Sequence, residues 1–199
     1  MKNILKQSFL LFISMSVICG IFYTFTVHII GQSVFSFKAN GSILEANNKD
    51  YSLLMGQSFK DDKHMWGRMV NIDVITYKDK DGNSLAYGSP SNISPASKEY
   101  EELIKQRVKL IKESNYEMKD TPVPVDLISG SASGLDPHIS LAAANYQVKR
   151  LARTNNISEK EVLDMIEKCK ESKIFGVVGE DTVNVVKMNL MIDGIIASS

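Results

Sequence analysis

The chain holds little from which independent chemistry could be built. Its 199 residues include two cysteines, Cys19 inside a long apolar run and Cys169 far downstream. An intramolecular disulfide is therefore not expected, and packing must hold the fold. The histidines, His28, His64 and His138, are scattered, and no local cluster offers a metal-ligand set. The turn Asp79-Lys-Asp-Gly82 lacks the ligand spacing and terminal glutamate of a calcium loop. Net charge is absent too, since 23 basic residues balance 23 acidic ones. Without a basic footprint, nucleic acid is not an expected partner. No internal repeat or low-complexity segment is present.

What the chain does have is a long apolar run. Between Gln7 and Phe37 there is no Asp, Glu, Lys or Arg. Ser8 to Ile30 is dense in Leu, Ile, Phe and Val. At ~1.5 Å per residue, a helix of that segment reaches about 34 Å, enough to cross a hydrocarbon core of ~30 Å. Ser8, Phe9, Leu10, Phe12, Gly20, Tyr23 and Ile30 are its anchor residues, with Tyr23 and His28 toward the distal interface. A cleaved signal peptide would be shorter and end in a small-x-small site, which Gly31-Gln-Ser33 matches weakly. A lipoprotein site at Cys19 fails because Ile18 is not small and Ser16 is not leucine.

The expectation is an uncleaved signal-anchor in the lipid bilayer. Lys2 and Lys6 crowd its N-terminal end, which places the N-terminus in the cytoplasm and the rest outside. Ser14, Ser16, Gly20, Thr24 and Thr26 would let neighbouring helices approach in lipid, although lone anchors carry such residues as well. The division is residues 1–36 for the cytoplasmic N-terminus and anchor, and 37–199 for one extracytoplasmic domain. Its 44% apolar content is enough for a core.

Within that domain, Ser42-Ile-Leu and Tyr51-Ser-Leu-Leu-Met flank an Asn-rich turn and predict a hairpin. Asn71 to Tyr77 predicts a further strand. Ser94-Pro95 reads as cap and first helical residue, opening a helix that buries Tyr100, Leu103, Ile104, Val108 and Ile111. Ser158-Glu-Lys-Glu161 is a capping box for a later helix with Val162, Leu163, Ile166 and Cys169 inside. Cys169 is therefore a small core residue. Val183 to Ile192 alternates and predicts a terminal strand. The fold class is α+β, mixed α/β, with helices packed on a small sheet.

Pro122 to Arg153, PVPVDLISGSASGLDPHISLAAANYQVKRLAR, is the most informative stretch. Its prolines suit an edge strand or an entry segment. Ser129 to Gly134 is a tight loop of small residues, and Asp136-Pro137 reads as an N-cap and first helical residue. The helix to follow would bury Ile139, Ala142, Ala143, Tyr146 and Leu151. The loop is not a G-x-S-x-G elbow, because Ala132 holds the middle position, and not a Walker loop, because no Gly-Lys-Ser/Thr ends it. Its serines either hold an anion or satisfy their own turn. Trp66, the single tryptophan, reads as a core plug with an arginine stacked beside it, or else as an interface anchor.

The stretch PVPVDLISGSASGLDPHIS, with Gln147-Val148 and Arg150, closely resembles the signature of the C subunit of the Kdp potassium-transporting P-type ATPase, the KdpC family. Met55-Gly-Gln-Ser-Phe59, Trp66-Gly-Arg68, Pro90-Ser-Asn92 and Val183-Asn-Val185 … Asn189-Leu190 … Asp193 agree in order along nearly the whole chain. Departures occur at Met69-Val70, at Ala86-Tyr-Gly-Ser89 and at Gly179-Glu-Asp-Thr182.

The resemblance implies an accessory, non-phosphorylated subunit of a high-affinity potassium uptake complex in the cell membrane. Its partners would be the P-type ATP-hydrolysing subunit, the channel-like potassium subunit and a small stabilising peptide. Its outer domain would cap the channel-like subunit. ATP and potassium would be used by the complex, with no cofactor assigned to this chain. The motif and interface residues it implies are Gln57, Phe59, Trp66, Gly67, Arg68, Asp126, Asp136, Pro137, His138, Gln147, Arg150, Asn184 and Asn189.

The family is also described as a catalytic chaperone that raises the pump's ATP affinity, which implies nucleotide contact at Ser131, Ser133, Gly134 and Gln147. An outside domain, however, would not share a compartment with cytosolic ATP. A second function class is a membrane-tethered hydrolase using Ser131 or Ser133 with His138. Against it, Ser131, Asp136 and His138 are too close in sequence for a usual triad.

Overall fold

The computed structural model describes residues 2–173 and 175–196; Ile174 and residues 197–199 of the expected outer domain lie outside the described residues. The chain forms two compact units, Met1–Leu44 and Glu45–Ser199.

In the first unit, α1 (Lys2–Val17), a π-helical segment (Ile18–Tyr23) and α2 (Thr24–Val34) follow one another without interruption. Asn3–Val34 is long and apolar enough to cross a membrane, with a mean hydropathy of 2.1 and no part of it buried in protein. An apolar surface on every side of a helix suits lipid better than water. The hydroxyls of Ser14, Thr24 and Thr26 donate to the carbonyls of Leu10, Cys19 and Phe22 at 2.8, 3.3 and 2.7 Å. These polar groups are satisfied within the helix itself. The one-turn α3 (Ser36–Ala39) follows, and the side-chain amides of Gln32 and Asn40 pair beside it.

The division between units falls inside the first hairpin, β1 (Ile43–Ala46) with β2 (Lys49–Ser52). Its turn residues Asn47 and Asn48 have φ of 51° and 57°, the left-handed pair a type I′ turn requires and asparagine tolerates. A second antiparallel hairpin joins β3 (Ile72–Lys78) to β4 (Ser84–Gly88) across Asp79–Asn83. Asp79 organises that turn by accepting from the N–H groups of Asp81 and Asn83. Then come α4 (Lys98–Ser114), a 3-10 turn (Tyr116–Met118) and α5 (Val125–Ile128).

The remaining elements build the core: β5 (His138–Ser140), α6 (Leu141–Tyr146), α7 (Val148–Asn155), α8 (Glu159–Cys169), β6 (Lys170–Glu171), β7 (Thr182–Asn184) and α9 (Val185–Ile192). The strands form an antiparallel sheet in the order β5-β7-β6, with Ile139 opposite Val183. Ile111, Leu127, Ile139, Leu151, Val162, Ile166, Val183 and Met188 make up one buried cluster. The class is mixed α+β, as the element pattern implied.

Several local expectations are corrected. Helix α4 starts at Lys98, capped by Ser97, whose hydroxyl accepts from the Tyr100 N–H. Ser94-Pro95 instead forms the preceding turn, with Ser94 O accepting from the Ser97 N–H at 3.0 Å. Asp136-Pro137 does not open a helix either. Asp136 accepts from the His138 N–H at 3.0 Å, the chain pairs with β7, and Ser140 supplies the real cap. The Pro122–Val125 run is an entry segment, with Pro124 at the N-cap of α5. Ala142, Leu163 and Leu103 are exposed, while Ala144 is buried.

The terminal stretch is a strand only to Asn184. There the Asn184 side chain accepts from the Lys187 N–H at 3.0 Å and starts α9. Val185, Val186, Met188, Asn189, Leu190 and Met191 are all buried, so the apparent alternation with Asn189 and Met191 did not mark a solvent face. Strand β4 had no sequence counterpart among the expected elements.

Candidate functional site

Residues 59–71 cross the core with little regular structure, so their buried backbone groups need partners from elsewhere. Two side-chain amides supply them. Asn189 accepts from the Met65 N–H at 2.7 Å and donates to Met65 O at 2.9 Å. Gln147 accepts from the Trp66 N–H at 2.8 Å and donates to Trp66 O at 3.0 Å. Each of these two consecutive residues is thus paired on both its N–H and its C=O, as one residue of a strand is paired within a ladder. Gln147 also donates to Ala143 O and accepts from Arg150 Nη2, which fills its amide's capacity.

Arg150 extends this network although it is fully buried. Nε donates to Asn115 Oδ1 at 3.0 Å, and Nη1 donates to the carbonyls of Asp62 and His64 at 2.5 and 2.9 Å. Burial lowers its pKa to about 10, opposed by the nearby Asp62 and Asp61 charges, so it stays protonated at neutral pH. Its guanidinium lies 4.8 Å from the Trp66 ring centroid, and that of Arg107 lies at 5.5 Å. Trp66 is 3% exposed and donates from its indole nitrogen to Asp61 O. The core-plug reading therefore holds. Asn115 and Arg107, which donates to Leu127 O and Gly67 O, are members that the sequence did not single out. Nothing in a lone amide at a helix end marks Asn115 as buried, and nothing in one cation on a charged helix marks Arg107 as half-buried.

Around Arg68 lies a second, shallower cluster. Its Nη2 is 2.6 Å from Asp126, and its Nε is 3.2 Å from Asp136 and 3.3 Å from His138 O. Asp126 also accepts from the Ser140 N–H at 2.9 Å, tying α5 to β5. His138 faces Asp136 through Nδ1 at 3.5 Å, and Glu171 and Asn184 through Nε2 at 3.2 and 3.3 Å. Asn184 donates to Leu53 O, and Pro137 O accepts from the Val185 N–H. Neither Ser131 nor Ser133 hydrogen-bonds His138. Ser131 Oγ accepts from the Asp136 N–H, and Ser133 Oγ from the Leu135 N–H. Those two serines close their own turn and form no pair with His138.

The smallness of that loop has a steric reason. Gly134 has φ +74°, and a Cβ there would stand 2.4 Å from Ser89 O and 2.6 Å from Asn71 O. Opposite the loop, a Cβ on Gly88 would meet Ser133 O at 2.7 Å, and one on Gly56 would meet Asp136 O at 2.8 Å. Backbone contacts from Met69, Asn71 and Gly56 to Ser129, Gly134 and Leu135 seal the approach. The signature loop is therefore a backbone junction between segments distant in sequence. Shallow clefts of about 450 and 430 Å³ flank it, the first lined by Tyr100, Leu103 and Ser129–Ala132, the second by Leu54, Ser131 and His138. Gln57 borders a third cleft of about 380 Å³. Phe59 packs on the core, its ring centroid 5.1 Å from that of His64 and tilted 44° to it. Gln147 is fully buried and closed to solvent.

His64 bridges two carboxylates, with Nδ1 2.8 Å from Asp61 and Nε2 2.9 Å from Asp193. Burial works against its charge, but the hydrogen bonds it donates to Asp61 and Asp193 outweigh burial and raise its pKa above 6.5. Cys169 is fully buried against Met191, and burial pushes its thiol up to about 11. No group of three or more His, Cys, Asp or Glu side chains able to hold a metal occurs among the described residues.

Comparison with known proteins agrees along the chain. The family model described as "KdpC: K+-transporting ATPase, c chain" matches residues 5–194. A Clostridium botulinum (strain Alaska E43) potassium-transporting ATPase KdpC subunit is 50% identical, covering 98% of this chain and 98% of its own length. The corresponding proteins of Clostridium perfringens and Burkholderia ambifaria are 47% and 37% identical, covering 98% and 97% of both chains.

Proposed function

The chain belongs to the KdpC family, the c chain of potassium-transporting ATPases, and from that premise we propose that it acts by docking, as the non-phosphorylated accessory subunit of a potassium uptake complex. The long apolar helix anchors it once in the cell membrane, with the N-terminus in the cytoplasm. The domain after it lies outside and covers the outer face of the channel-like subunit. The P-type subunit hydrolyses ATP, and a small stabilising peptide completes the assembly.

The observation that carries this reading is where the signature side chains go. Gln147, Arg150 and Asn189 are buried and hold the backbone around Trp66, while Arg68 is engaged by Asp126 and Asp136. A body stiffened this way is suited to presenting a fixed surface to a partner. A role in ATP affinity would then act through the pump subunit and not through nucleotide held at Ser131, Ser133 and Gly134.

Orientation is tested with a Ser172→Cys variant, since Ser172 is exposed and Cys169 is buried. The proposal expects labelling by a membrane-impermeant maleimide in intact cells. Labelling only after lysis would reverse the topology and reopen direct contact with ATP.

A further inference from the structure

We infer that the loop between β6 and β7 is a docking finger whose apolar tip is received by an uncharged pocket on a partner subunit; the inference rests on the membership reading above. Phe175, Val177 and Val178 are 97%, 82% and 62% exposed. Single exposed apolar residues need no explanation, but an aromatic and two aliphatic side chains together at a loop tip mark an interaction site.

The base of the loop is fixed. β6 pairs with β7, Asp181 accepts from the Lys173 N–H at 3.0 Å, and Lys173 Nζ lies 3.3 Å from Glu180. Gly176 and Gly179 take φ of +73° and +93°, and Phe175 itself adopts a φ of 53°. For a bulky residue that conformation is unfavourable, because Cβ crowds the following carbonyl oxygen. With its ring almost wholly in water, no packing inside the domain offsets that cost. The loop is thus held at its base and presents its apolar groups outward.

Charge favours a protein pocket over a lipid surface. Between Lys173 and Glu180 the sequence carries no charge, and Lys173 is already paired with Glu180, beside Asp181. Segments that rest on membranes combine apolar groups with free basic residues for the headgroups, and this loop offers none among its described residues. An aromatic anchor with two aliphatic neighbours inside a neutral collar is instead the composition of an interface hot spot. Membership in an ATPase with several chains supplies the partner.

The test places the photo-crosslinker p-benzoylphenylalanine at Val177 of the full-length chain, co-expressed with the other subunits of the potassium-transporting ATPase. The expected result is a light-dependent adduct with a partner subunit. A chain that co-purifies with the complex but forms adducts only with lipid, or none, overturns the finger while leaving membership intact. A chain that never co-purifies overturns both. The double variant Phe175→Ser, Val177→Ser provides the second readout. It is expected to retain at least tenfold less partner subunit at an unchanged thermal midpoint, and retention within twofold of wild type would overturn the inference.

Discussion

The side-chain amide of Gln147 pairs with both backbone polar groups of Trp66, accepting from its N–H at 2.8 Å and donating to its carbonyl at 3.0 Å. Asn189 makes the same clasp on Met65, one residue earlier. Residues far apart in sequence thereby do for an irregular segment what a neighbouring strand would do for a regular one.

Gln147→Leu keeps the volume but removes every polar contact. It leaves the Trp66 N–H and C=O and one Arg150 nitrogen unpaired in the core. The expected loss is about 3–5 kcal/mol. It is read as a lowered denaturant midpoint for the full chain in detergent. A loss under about 1 kcal/mol would mean that the clasp contributes little.

Gly134→Ala tests the loop junction. The left-handed backbone and the contacts at 2.4 and 2.6 Å involve carbonyl oxygens that cannot rotate away. The combined cost is on the order of 3 kcal/mol or more. Gly82→Ala is the control: φ is +85° there too, but space is open, so only about 1 kcal/mol is expected. Equal effects would remove the steric argument.

Stability should fall as pH rises above about 6.5 because of His64. Its folded pKa lies above the unfolded value, so the bridge to Asp61 and Asp193 contributes fully below about pH 6.5. That contribution disappears as pH rises through the folded pKa. Thermal midpoints from pH 5.5 to 8.5 should decline for wild type and flatten in this window for His64→Gln. Identical pH profiles would contradict the bridge.

Ser131→Ala and Ser133→Ala separate docking from hydrolysis. Each serine accepts one local N–H, so each variant should lose only about 1 kcal/mol. Potassium-dependent ATP hydrolysis by the complex should be unchanged. Loss of turnover on a small ester, with assembly intact, would support the hydrolase instead.

The sequence made some elements legible because one local signal dominated. The capping box at Ser158 is present as expected, and so is the apolar helix. The Asn47-Asn48 turn also followed from its residues. Helix starts were misplaced where two caps competed. Ser94 and Asp136 both carry proline behind them, yet Ser97 and Ser140 win, because the earlier residues are engaged in a turn and beside a strand. At Val183–Ile192, burial on every side erased the period. In the candidate site, the motif residues were visible but their partners were not. Asn115, Arg107 and the carbonyls of Asp62 and His64 become neighbours of Arg150 and Trp66 only through tertiary packing.

Isolation of the potassium-transporting ATPase from cells with and without this chain tests the central claim most directly. With the full chain present, its anchor uncleaved, the P-type and channel-like subunits should co-purify with it and hydrolyse ATP in response to potassium. Without it, that assembly and its potassium-stimulated hydrolysis should be lost. A complex that assembles and turns over normally in its absence, with the chain recovered as a soluble product trimmed near Ser33, would contradict the account.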